Sequence, residues 1–167
     1  MKKILLFVLL SFIIISCNNN SGTKNTEIIQ NKESLEKTFK DDVTKFIECL
    51  NKKDWDTFWN MMNPKIFEFF EKEKLMAEME KMIEENDVNF NNLEIGKMSK
   101  VISENNFNYC RIFYNYDMLI NNEFIEKVET SVIASSKNGY NNWTYLEYTD
   151  ESEAIVREII PVIDQLN

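Results

Sequence analysis

Near Val88 the apolar residues stop recurring every three or four places and begin to alternate. A helix repeats every ~3.6 residues and a strand every second one, so a helical half precedes a strand half. In the first half Leu35, Phe39, Val43, Phe46, Ile47 and Leu50 share one face of a helix from about Ser34 to Asn51. Lys52-Lys53 end it, and Asp54 can cap a short second helix that sets Trp55, Phe58, Trp59 and Met62 on a common face. Asn63-Pro64 restarts the chain, since Asn suits the N-cap and Pro the first helical position. A third helix carries Ile66, Phe67, Phe69, Phe70, Leu75, Met76, Met79, Met82 and Ile83 to about Asn86. Its apolar stripe shifts around residues 71–74, where a break is expected.

The second half reads as strands around 89–102, 106–119, 123–136 and 140–149, rich in β-branched and aromatic residues. Clusters at residues 103–106, Asn121-Asn122 and Lys137-Asn138-Gly139 separate them. Turns this short force antiparallel neighbours. Cys110, Ile112, Tyr114, Tyr116 and Met118 fall on one face of the second strand, and Phe124, Val128, Val132 and Ala134 on one face of the third. A closing helix over about 151–166 points Ile155, Ile159, Val162, Ile163 and Leu166 inward, with Pro161 interrupting it. The expected class is α+β: N-terminal helices packed on a curved four-stranded antiparallel meander, with a C-terminal helix.

The chain opens with Lys2 and Lys3, followed by an apolar run from Ile4 to Ile15 broken at Ser11. Those twelve residues span roughly 18 Å as a helix, whereas a bilayer core of about 30 Å needs roughly 20 residues. The run fits the core of a signal peptide. It ends Ile14-Ile15-Ser16-Cys17, which resembles the bacterial lipobox, with Ile14 where leucine is usual. The resemblance implies cleavage after residue 16 and lipidation of Cys17. Two or three acyl chains would then anchor the protein stably to a membrane. Residues 17–33, rich in Asn, Ser, Thr and Lys, read as lipidated cysteine plus flexible tether, and 34–167 as a single domain. No acidic run follows Cys17, and by resemblance to other lipoproteins this favours the periplasmic side of the outer membrane.

Composition narrows the chemistry. Net charge is −9, and losing residues 1–16 would remove two lysines and no acid. Such a surface disfavours nucleic acid and anionic headgroups. The chain has no histidine, which excludes Ser-His-Asp and Cys-His catalysis and removes the commonest metal ligand. No calcium loop or phosphate-cradling glycine loop is present, and no cofactor is expected. Cys49 and Cys110 fall on a predicted helix and strand, and spacing leaves open whether they bridge or stay small buried thiols.

Residues 46–59, Phe-Ile-Glu-Cys-Leu-Asn-Lys-Lys-Asp-Trp-Asp-Thr-Phe-Trp, look like the opening of nuclear transport factor 2-like domains. There a first helix ends in a polar turn and an Asp caps a short aromatic helix. Gly139-Tyr140-Asn141-Asn142-Trp143 resembles the turn and tryptophan that begin a late strand in that superfamily. Pro64-Lys65-Ile66-Phe67-Glu68 and residues 72–80 are similar to uncharacterised Bacteroidetes members. The likeness covers about 35–149 and implies a bent sheet wrapped over helices, often with an apolar pocket at the open end. Its enzymes, isomerases and dehydratases among them, commonly use His-Asp or Tyr with Asp. Only the second set can be imitated here, by Tyr109, Tyr114, Tyr116 or Tyr145 with Asp117.

Two non-catalytic readings weigh more. In one, a cone pocket takes a small apolar ligand, with Trp55, Trp59, Tyr114, Tyr116 and Trp143 as lining. In the other, the domain is an interaction protein that pairs with a second copy or another envelope protein through an open sheet face. The same five aromatics would serve as ordinary core, the commoner use of such residues.

Overall fold

The computed structural model describes residues 32–137, 139 and 141–166. The signal-peptide segment 1–16, Cys17 and the tether up to residue 31 lie outside the described residues, as do Asn138 and Tyr140 of the predicted third turn. The class is α+β. Helix α1 (Lys32–Lys52) is followed by α2 (Trp55–Met61), a 3₁₀ turn (Pro64–Glu68) and α3 (Lys72–Glu85). The strands are β1 (Val88–Met98), β2 (Ile102–Glu104), β3 (Phe107–Ile120), β4 (Glu123–Lys137) and β5 (Thr144–Tyr148). Helix α4 (Glu153–Ile159) and a 3₁₀ turn (Ile163–Gln165) close the chain, interrupted at Ile160-Pro161 as the proline requires.

Local chemistry explains the joints. Lys53 adopts a left-handed conformation after α1, with its N–H and that of Asp54 returning to the carbonyls of Leu50 and Cys49. Asp54 then accepts from the Thr57 N–H at 3.3 Å and starts α2. Asn63 accepts from Lys65 N–H at 3.0 Å and starts the 3₁₀ turn.

The sheet runs β1-β3-β4-β5, all antiparallel, with β2 also on β3. The predicted first strand is divided: Ser99 donates its N–H to the Arg111 carbonyl while its hydroxyl accepts from the Arg111 N–H, so a side chain takes over one rung. Asn105-Asn106 and Asn121-Asn122 sit at φ of 50°, 66°, 52° and 61°, the left-handed pair a two-residue hairpin turn needs.

Each face of the sheet carries its own core. Toward α1, α2 and α3 point Cys110, Ile112, Tyr114, Tyr116 and Met118 of β3, with Val132, Ala134 and Tyr145. Toward the C-terminal segment point Tyr109, Ile133 and Leu146, covered by Val156, Ile159, Ile160 and Leu166. The sheet is thus sandwiched along part of its length, and this second core is as buried as the first. Phe124 departs from expectation. A bulge at Ile125 lets Met118 pair with Glu126 and Leu119 with Phe124, which moves Phe124 to the outer face, where it is 61% exposed.

Candidate functional site

β4 is longer than β5. Their pairing ends at Ser131 opposite Tyr148, so among the described residues no strand lies beside residues 123–130 of β4 on that side. The sequence after Tyr148 explains why β5 stops. In Thr149-Asp150-Glu151-Ser152 the Ser152 hydroxyl accepts from the Thr149 N–H at 2.8 Å and donates to the Glu147 carbonyl at 3.1 Å. That side-chain turn pulls the chain away into α4. A groove of about 650 Å³ opens between residues 128–131 and 148–151, with Arg111, Phe113, Tyr114 and Asn115 reaching it from β3.

One cation, Arg111, stands on the outer-face side of this groove, whose lining also includes Glu129, Asp150 and Glu151. Phe113, Ser131 and Tyr148 form one cross-strand row. Ser131 is small, and the Arg111 guanidinium lies over it, 4.5 Å from the Phe113 ring centroid and 4.4 Å from that of Tyr148. Arg111 Nε donates to Ser131 Oγ at 2.9 Å, which fixes the plane of the fork. Lys97 lies over the same Phe113 ring at 4.6 Å. Among the described residues no carboxylate stands within ion-pair distance of Arg111. Burial lowers its pKa from the ordinary guanidinium value. Asn115 adds a buried Oδ1 with no hydrogen-bond partner.

The inner-face side carries an acid. Glu147 accepts from the Tyr114 hydroxyl at 3.3 Å and from Thr130 Oγ1 at 3.5 Å. Burial raises its carboxyl pKa above the usual range, against the lowering effect of those two donors. Tyr114 is raised well above a free tyrosine, first by burial and then by the Glu147 charge.

Of the five aromatics expected to line a pocket, Tyr114 reaches the groove. Trp59, Tyr116 and Trp143 are core residues. Trp143 meets Phe39 edge-on at 4.8 Å, and Trp59 donates its indole N–H to Glu80 at 3.0 Å. Trp55 is half-buried and donates to Glu84 at 3.0 Å. The Tyr-with-Asp117 arrangement is not assembled: Asp117 points to the face opposite Tyr114 and Tyr116 and accepts from Asn92 at 2.6 Å. Tyr145 bonds Asp42 of α1, and Tyr109 lies in the outer core with its pKa pushed up to about 12 by burial. Sequence reading missed Arg111 and Glu147. Strand alternation puts Glu147 beside Tyr145 on the inner face, a signal that was available; nothing local announces that Arg111 lacks an acid partner.

Cys49 and Cys110 are buried free thiols. Among the described residues no group of three Cys, Asp or Glu side chains is placed to hold a metal, and no helix is long and apolar enough to cross a membrane. Neither a family model, nor a curated protein, nor a solved structure matches this chain.

Proposed function

We propose that this protein is an envelope lipoprotein held to a membrane through Cys17, and that its domain is a non-catalytic module binding a small ligand in the groove beyond β5. The lipobox-like Ile14-Ile15-Ser16-Cys17 supports the anchor. The observation that carries the binding reading is the groove itself: about 650 Å³, within the size range of ligand clefts, with the Arg111 guanidinium fixed in its lining between two rings. The site lies at a strand edge and not between the sheet and the helices, where Trp59, Tyr116 and Trp143 belong to the core.

The test is native mass spectrometry of the protein extracted in detergent from a bacterial envelope. The reading expects a reproducible extra mass that Thr130→Trp, which fills the groove, removes without lowering the melting temperature by more than a few degrees. A clean mass in the wild type contradicts it. For the anchor, Cys17→Ala should release the protein to the soluble fraction.

A second reading rests on the Tyr114–Glu147 pair. A carboxylic acid kept protonated in a buried site can polarise a carbonyl compound. Glu147→Gln would then stop conversion of the bound compound, whereas a binding module would retain it unchanged.

A further inference from the structure

We propose that the groove docks an extended peptide, which presents its free α-carboxylate to Arg111 and runs along the open edge of β4. This names the ligand class of the site above and rests on that reading.

Arg111 supplies the carboxylate end. Its Nε is occupied by Ser131, and its two ring contacts hold the guanidinium flat at the point where β5 ends. The Nη donors are left without an acid in a chain of net charge −9, where partners are abundant. A planar fork held in this way matches a carboxylate bidentately. β4 supplies the backbone end. From Thr130 back toward Glu123 its edge has no strand partner among the described residues, so main-chain donors and acceptors are available to an added strand. The free edge is short in practice, because the bulge at Ile125 disrupts it and Glu126, Lys127 and Glu129 guard it against long strands.

Charge sets the direction. Arg111 stands at the Ser131 end of the free edge, so a peptide whose carboxylate meets it runs parallel to β4 with its amine toward Glu126.

The experiment is isothermal titration calorimetry of the full chain in detergent with tetra-alanine, tetra-alanine amide and free alanine. Tetra-alanine is expected to bind, the amide at least tenfold more weakly, and alanine at least tenfold more weakly. Arg111→Lys, which keeps the charge and loses the fork, should weaken tetra-alanine about tenfold. Its melting temperature reports whether the variant folds, and the amide, which needs no mutation, keeps the proposal falsifiable if it does not. Equal binding of acid and amide overturns the carboxylate assignment. Equal binding of alanine overturns the peptide assignment. No binding at about 1 mM peptide overturns both. The binding reading itself then stands or falls on the co-purified mass.

Discussion

The Tyr145 hydroxyl donates to the Asp42 carboxylate, which joins the middle of α1 to β5 across 103 residues of sequence. Tyr145 is otherwise enclosed, 1% exposed, among the inner core. Its burial first, and this bond second, push the phenol well above its ordinary pKa, so it stays a donor at any working pH. Tyr145→Phe keeps the ring and removes one bond to a charged acceptor. The expected loss is about 1.5–3 kcal/mol in urea unfolding, with the slope against denaturant unchanged.

Glu147 makes the domain's stability depend on pH. Its carboxyl pKa is raised in the fold, chiefly by burial, so the native state binds its proton more tightly than the unfolded chain does. Stability from this group is therefore present in acid and declines as pH climbs from about 4.5 through the raised folded value. Glu147→Gln removes that decline. The variant should melt roughly 2–5 °C above the wild type at pH 8 and show no advantage at pH 4. Melting curves over that range give the comparison, and parallel curves for the two proteins would refute it.

The thiols should be inert in the fold. Burial pushes Cys110 up to about 11 and raises Cys49, helped by the Asp54 charge. At pH 8 about one Cys110 in a thousand is then a thiolate. A chromogenic disulfide reagent should label neither residue within minutes in buffer and both in guanidinium. Two thiols missing after unfolding would mean that Cys49 and Cys110 pair.

The β3–β4 turn offers a backbone test. Asn121 and Asn122 both hold positive φ, a conformation asparagine tolerates and glycine prefers. Asn122→Gly should raise stability by about 0.5 kcal/mol, and Asn122→Val should lower it by about 1–2 kcal/mol. Equal stability of the two variants would mean that the turn relaxes freely.

Much of the fold was legible because it follows from periods and caps. Leu35 to Leu50 repeat at helical spacing, Asp54 and Asn63 cap, and paired asparagines turn the strands. What escaped was long-range. Phe124 looks inward by alternation, yet a bulge one residue later reverses it, and a bulge leaves no local mark. The second core was half visible: Ile159, Val162, Ile163 and Leu166 announced an inward face, but not which side of the sheet it would meet. The groove was invisible, because it depends on β5 stopping five residues after it starts while β4 runs on. Arg111 became notable only when its neighbours proved to be rings and a serine.

Amide chemical-shift mapping with tetra-alanine tests the location of the site most directly. The account predicts shifts confined to Gly96, residues 111–115, 123–131 and 147–151, around the groove and along the free β4 edge, and their weakening in Arg111→Lys. Shifts centred on Trp55, Trp59 and α3, or no shifts at all, would contradict it.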